Sequence, residues 1–469
     1  MKRNIVLIDL DFKLYKSIYE SKLVNIELLI TENNEAQLKE IRDSYGIKNI
    51  ITRDKFHEFT EKEAINISYE TIEKFKATQL DSEHYQDRFS DDANLKQYRY
   101  YSALSFWIKV FNDNKISAVI ADRILHGANY DSLALDVAKS YGIPGYVIEN
   151  FMFRYFDDSG FVNRAVLNYS LKKWVPLDHE KLGLKHSKIE DYLFYPEKNN
   201  KNINKKRSFK EFLKLFLPSY GKLMSLRKII LRQEIFMHGL GSHPGFIYRN
   251  ILHVKTLRRF YNSITKKFDS SRKYLFYALH FEPEASIMAR ARLNNQLFII
   301  KQISQSLPKG WILYVKDHPD QLENYDRPGL WYFLISIHKY RTKNFYKKLN
   351  KLDNVCLIDT NIKSQDIIKS AEGISTINGS IALEALHYKK PLLLFGHQNS
   401  PLGLLKDVFK ITSTEHCHEA LNSLESGFTP EYSDLNDIVD KYFFETEFFS
   451  ENDLQLLIDY LVLNNESCR

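Results

Sequence analysis

Short apolar runs alternate with helical patterns along the first half of the chain. Asn4–Asp9, Ile26–Thr31, Asn49–Thr52 and Ser117–Ala121 are rich in Ile, Val and Leu and predict buried strands. A helix is expected from about Asp131 to Tyr141. Gly142-Ile-Pro-Gly145 then turns the chain into a strand over Tyr146–Glu149. Continuous apolar strands separated by helices predict a parallel sheet covered on both faces.

The same alternation restarts in the second half. Tyr274–Leu279, Trp311–Lys316, Asn354–Ile358, Gly373–Ile377 and Pro391–Phe395 read as strands. Ala285–Ser306, Trp331–Leu349, Ser364–Ser370 and Ser380–Tyr388 read as helices. Between the halves, Glu197–Arg207 (EKNNKNINKKR) is polar and cationic, the pattern of an exposed loop. Amphipathic helices are expected after it, near 209–217, 223–236 and 256–268, and a last helix near 451–463.

These elements predict an α/β protein of two doubly wound, Rossmann-like domains facing a cleft. The first spans 1–270 with a helical insertion at about 205–270. The second spans 271–445, and 446–469 form a terminal helix. Ligands of such sheets bind beyond the carboxyl ends of the strands, so residues just after strands are the candidates for chemistry.

Three corners of the second half carry such residues. After Gly373–Ile377 come Asn378, Gly379 and Ser380. Gly379 allows close backbone approach to a phosphate, and the Ser380 hydroxyl adds a donor. Glu384 lies one helical turn further on the same face, where it could accept from ribose hydroxyls. Plain helix capping by Asn378 or Gly379 explains the same residues. After Trp311–Lys316 come His318 and Pro319. Lys316 can neutralise a phosphate, and the imidazole can bind a base or phosphate. After Tyr274–Leu279 comes His280-Phe-Glu-Pro-Glu284, in which His280 and Glu284 are expected to line the same cleft. Glu282 and Glu284 also suit a helix start, with Pro283 in its first turn.

In the first half, Glu149 closes a strand and is a candidate general base or nucleophile toward an acceptor sugar. Asn150 and Arg154 follow it as acceptor or sugar ligands. Asp122, Arg123 and His126 follow the preceding strand. Asp9-Leu-Asp11 resembles an aspartate-nucleophile pair only superficially, because Phe12 and Lys13 come next. The pairs Asp91-Asp92 and Asp157-Asp158 are weak metal candidates. The sequence has no HExxH and no Walker A motif, so no metal and no cofactor is expected.

Composition narrows this reading only a little. The 469 residues exceed one ordinary core, which supports two domains. A net charge of +7 is a mild bias that selects no partner. The basic residues are dispersed and no recognition motif is present, which argues against nucleic acid. The aromatic share of 14% is high and reads mainly as core packing. Cys356, Cys417 and Cys468 are far apart with no CxxC, as in a reducing cytoplasm. No window suits a signal peptide or a transmembrane helix, so membrane association is expected to be peripheral at most.

Four segments together resemble the bacterial capsule polysaccharide biosynthesis proteins. They are Leu275–Ser286, Val315-Lys-Asp-His-Pro319, Asn354–Asp359 and Thr376-Ile-Asn-Gly-Ser-Ile-Ala-Leu-Glu-Ala-Leu386. Glu149-Asn150…Arg154 resembles that family's Glu-Asn-Gly-x-x-Arg pattern. Phe151 replaces the glycine, and no proline follows Arg154. The family is related to the Kdo transferases of capsule assembly and has the GT-B fold.

The resemblance implies a metal-independent glycosyltransferase with its nucleotide in the second domain. His318 and Ser380 would hold the phosphate, and Glu384 would fix the ribose. It implies a CMP-activated acidic sugar, such as Kdo or sialic acid, as donor. A growing surface polysaccharide or its lipid-linked primer would be the acceptor. The last helix is expected to cross back to the first domain, and the protein to lie in the cytoplasm or at the inner membrane face. A sugar-nucleotide epimerase of the same architecture and a non-catalytic glycan-assembly protein are the alternatives.

Overall fold

A computed structural model describes residues 2–8, 23–31, 35–47, 49–52, 55–64, 66–87, 92–122, 133–154, 161–169, 173–177, 244–288, 293–323 and 337–445, with 457, 459 and 462. The expected loop at 197–207, the helices near 209–217 and 223–236, and Arg123, His126, Asp9, Asp11, Asp91, Asp157, Asp158 and Cys468 lie outside these residues.

The first sheet contains β1 (Arg3–Ile8), β2 (Val24–Thr31), β3 (Ile50–Thr52), β4 (Ile116–Asp122), β5 (Gly145–Arg154), β6 (Phe161–Tyr169) and β7 (Lys173–Trp174). The second contains β8 (Tyr274–Ala278), β9 (Ile312–Lys316), β10 (Val355–Ile358), β11 (Gly373–Thr376), β12 (Leu392–Leu394) and β13 (Val408–Lys410). A last strand, β14 (Phe443–Glu445), returns to the first sheet.

The first sheet runs β14-β6-β5-β4-β1-β2-β3, with β7 also on β6. Its core, β3-β2-β1-β4-β5, is wholly parallel. Ile5, Val6, Leu7 and Ile8 of β1 are all fully buried, as a strand covered on both faces requires. The second sheet runs β10-β9-β8-β11-β12-β13 and is parallel throughout. Both follow the Rossmann rule, with the first strand of each unit central and the order reversing beside it. Two Rossmann-like units in tandem form the plan that the GT-B resemblance implied; most of the terminal helix expected near 451–463 lies outside the described residues.

The high aromatic content is largely core. The helix Ala93–Asp113 is capped by Asp92, whose side chain accepts from the Leu95 amide at 2.9 Å. Asp92 is therefore a helix cap rather than a metal ligand. Tyr100, Leu104, Trp107 and Phe111, spaced at helical intervals, are buried on one face. Trp107 packs against Phe106 and Phe111 with ring centroids 5.1 and 6.0 Å apart.

Several expected elements divide or extend. The helix expected over Ala285–Ser306 is two, Ala285–Met288 and Gln296–Ser306, because Asn295 caps the second through the Phe298 amide at 3.0 Å. Pro283 and Glu282 precede the first of these in a turn, so neither sits in a helical first turn. The helix expected over Trp331–Leu349 contains Ile337–Tyr340 and Lys343–Asn350. Thr342 caps the latter through the Phe345 amide at 3.2 Å. The strand expected to end at Glu149 continues to Arg154 as one arm of a hairpin with β6.

Among the described residues, the chain ties its two units and its end together at several points. Tyr85, from the helix Lys76–Gln86, is buried in the core formed around β8 and β9. Phe443 is buried in the core on the other face of the second sheet, while its own strand pairs with β6. Arg3 at the chain start donates through Nη1 to the carbonyl of Val462 near its end. Among the described residues, no helix is long and apolar enough to cross a membrane.

Candidate functional site

The order of the second sheet reverses between β8 and β11, which are hydrogen-bonded neighbours. Their carboxyl ends mark the topological switch point where open α/β sheets bind ligands. His280 follows β8 by two residues, and Asn378, Gly379 and Ser380 follow β11. The structure thus brings together two corners that are about a hundred residues apart in sequence.

The contact between them is direct. His280 Nε2 lies 3.0 Å from Thr376 Oγ1 and accepts from the Asn378 amide at 3.4 Å. Thr376 Oγ1 accepts the Gly379 amide at 3.2 Å. With Nε2 as acceptor, the imidazole proton belongs on Nδ1, and that atom lies 3.6 Å from Glu284 Oε2. A hydrogen-bonded chain therefore runs from the Gly379 amide through Thr376 to His280, with Glu284 facing the ring beyond hydrogen-bond distance. It also corrects the phosphate-cradle reading, because the Asn378 and Gly379 amides are taken up inside the protein. Gly379 is needed here for space. A Cβ would meet Thr376 Oγ1 at 3.0 Å and His280 Cε1 at 3.1 Å.

Ser380 is exposed and begins the helix Ile381–His387, making no side-chain cap. Glu284 is half-exposed at the mouth of the corner. Pro319 opens the short helix Pro319–Glu323 beside it. His318 is partly exposed, and its Nδ1 accepts the Asp320 amide at 3.2 Å, which leaves the proton on Nε2. The protein packed around its ring lowers its pKa, against the pull of Asp320, Asp317 and Glu284.

Lys316 differs from its expected role. It is buried, and its ammonium donates to the Ile362 carbonyl at 2.9 Å and the Ser364 hydroxyl at 2.7 Å. Burial lowers its pKa to about 8, although Glu384 and Asp359 pull the other way. It ties the strand end to the 362–364 turn instead of reaching out to a ligand. Glu384 is half-buried on the helix Ile381–His387.

Glu149 is half-buried inside β5, opposite Val166 of β6. The parallel ladder of β5 with β4 ends one residue earlier, at Ile148. Glu149 therefore keeps its place at the carboxyl edge of the parallel sheet even though the strand continues. Asn150 and Arg154 follow on the same strand, opposite Ala165 and Phe161.

Beneath His280 lies a buried polar network that the sequence did not signal. Arg341 is fully buried. Its Nη2 donates to the His280 carbonyl at 2.7 Å, and it forms ion pairs with Glu282 at 2.6 Å and Asp317 at 3.4 Å. Burial opposes its charge, but Asp317 and Glu282 outweigh burial and raise its pKa. Burial raises the pKa of Glu282 in spite of the guanidinium. Tyr346 donates its hydroxyl to Asp317, and burial pushes that phenol well up. Glu282, expected at a helix start, instead belongs to this network. Among the described residues no group of three or more His, Cys, Asp or Glu could hold a metal ion.

Residues 220–400 match the family model described as capsule polysaccharide biosynthesis protein. This agrees with the resemblance carried by the motifs at 275–286, 315–319 and 376–386. No curated protein matches the chain. Among solved structures it is similar to the UDP-GlcNAc 2-epimerase of Methanocaldococcus jannaschii, at 15% identity over 99% of this chain and 100% of that one, with a TM-score of 0.25. It is similar to the β-Kdo 2,7-transferase KpsC of Thermosulfurimonas dismutans, at 13% identity over 88% of this chain and 98% of that one, with a TM-score of 0.26. Scores this low carry no argument between the two activities.

Proposed function

We propose that this chain, whose residues 220–400 match the capsule polysaccharide biosynthesis family, is a glycosyltransferase of surface-polysaccharide assembly. One observation carries the reading: His280, His318 and Ser380, from three corners, gather at the carboxyl ends of β8, β9 and β11 around the switch point. Residues 271–445 would form the nucleotide-sugar domain and 1–270 the acceptor domain.

In this reading the nucleotide phosphate lies against the outward Nε2–H of His318 and the Ser380 hydroxyl. Donors fixed there meet the charge that develops as the sugar–phosphate bond breaks. Glu384 holds the ribose. Glu284, backed by His280, and Glu149 across the cleft are the candidate carboxylates for proton transfer to and from the acceptor hydroxyl. Asn150 and Arg154, with Arg123 and His126, would bind the acceptor or an acidic sugar. The donor is a CMP-activated acidic sugar and the acceptor a growing polysaccharide or its lipid-linked primer. The protein works in the cytoplasm or at the inner membrane face, without a metal.

A thermal-shift series with CMP, CDP, UDP and GDP tests this reading. Binding stabilises the fold by RT ln(1 + [L]/Kd), about 2.7 kcal/mol at a hundredfold excess over Kd. CMP is expected to give the largest shift, and His318→Ala and Ser380→Ala to reduce it. No shift with any of the four would sink the nucleotide site. Epimerised nucleotide sugar formed without an acceptor would replace transfer by epimerisation.

A further inference from the structure

The backbone of residues 280–282 is held almost entirely by side chains from elsewhere. The His280 amide donates to Gln296 Oε1 at 2.8 Å, and the Glu282 amide donates to Gln321 Oε1 at 2.7 Å. The Glu282 carbonyl accepts from Gln321 Nε2 at 3.1 Å. The His280 carbonyl accepts from Gln296 Nε2 at 3.3 Å and, more closely, from Arg341 Nη2 at 2.7 Å.

Arg341 differs from the two glutamines because its charge meets a carboxylate of each corner at once. Its other nitrogens face Glu282 on the β8 corner and Asp317 on the β9 corner. Asp317 in turn accepts the His318 amide at 2.7 Å through Oδ1. The guanidinium is fixed from below by the Phe345 ring, 4.4 Å from its centroid, and the Arg341 carbonyl lies 2.6 Å from His253 Nε2. A planar fork with donors in three directions suits this task, whereas an ammonium is a single point charge.

We propose that Arg341 is a positioning residue that sets the spacing of His280 and His318 by clamping their two loops together. The proposal rests on the nucleotide-site reading above for its consequence in binding, but not for the geometry itself. Arg341 touches no ligand in this scheme. Its effect passes through the two histidines.

The test is a double-mutant cycle in the whole chain between Arg341→Lys and His318→Ala, with CMP and UDP as probes. Arg341→Lys keeps a cation beside Glu282 and Asp317, so the buried carboxylates are not left unpaired. It is expected to weaken binding by about tenfold in the wild-type background and by less than about twofold in His318→Ala, the non-additivity of coupled residues. An equal loss in both backgrounds would show that Arg341 acts only on general stability.

The second readout needs no ligand. In protein labelled at histidine nitrogens, the His280 ring signals are expected to shift in Arg341→Lys while His416, on the far helix Thr414–Glu425, stays put. An unmoved His280 signal overturns the clamp even if no nucleotide binds. Absent binding with a moved signal overturns the nucleotide reading and leaves the clamp standing. If Arg341→Lys fails to fold, Arg341→Met with Glu282→Gln and Asp317→Asn removes the buried charges together and is read in the same way.

Discussion

His280 and Thr376 meet across the switch point, imidazole Nε2 to hydroxyl Oγ1 at 3.0 Å. The Thr376 side chain is buried, and its oxygen also accepts the Gly379 amide. Substituting valine keeps the shape and removes both bonds. Thr376→Val is expected to lower stability by about 1–3 kcal/mol, the cost of leaving buried polar groups unmade. Urea unfolding measures this. A value within error of wild type would mean that the chain through Thr376 holds nothing.

Gly379→Ala places a methyl group where Thr376 Oγ1 and the His280 ring already sit, at 3.0 and 3.1 Å. Overpacking of this kind costs about 1–3 kcal/mol. Because Ser380, the proposed phosphate donor, is the next residue, the same variant is expected to lose nucleotide affinity, which calorimetry would register. Retained affinity together with wild-type stability would show that the corner yields freely.

Lys316 makes the fold pH-sensitive in a definite direction. Its pKa is about 8 in the folded chain, below the 10.5 of an unhindered lysine. Between those values the unfolded chain binds more protons, so this group's contribution to stability rises with pH. Below pH 8 the full penalty of burying the ammonium applies, about 3 kcal/mol at 1.36 kcal/mol per pKa unit. Compared with Lys316→Met, the wild type is expected to gain stability from pH 8 to pH 10. Chemical unfolding of both proteins at pH 7.5, 9 and 10 would show a constant difference if this is wrong.

Phe443 belongs to both sheets, through its strand and through the core its ring enters. Phe443→Ala is expected to cost about 3–5 kcal/mol, as for other buried aromatic truncations. It is also expected to split one calorimetric unfolding transition into two. A single transition at a slightly lower temperature would mean that the return strand does not couple the units.

Most parallel strands were legible because they are short, largely apolar runs buried on two faces, whereas Val408–Lys410, with one buried residue in three, was not. The antiparallel additions were not. Phe161–Tyr169 mixes Asn163, Arg164 and Asn168 with apolar residues, and β14 is only three residues long. The corners that bear His280, His318 and Ser380 could be placed because candidate residues follow recognisable strands. Arg341 could not, since a lone arginine between two short helices looks like any solvated arginine until its carboxylate partners are brought beside it. The inward turn of Lys316 is hidden in the sequence for a related reason. A lysine at a strand end carries no mark of whether its chain turns outward or back beneath the next loop.

Strand β14 pairs with β6, yet it follows every strand of the second sheet in the chain. During synthesis, the 164–166 edge of β6 stays unpaired until residues 443–445 leave the ribosome. Domains generally fold in the order they are made. Here the sheet begun first is finished last, with an open edge exposed to wrong pairing throughout the interval. A nascent chain with residues 443–445 still inside the ribosome and 408–410 outside it would hold every strand of the second sheet and a first sheet that still lacks one.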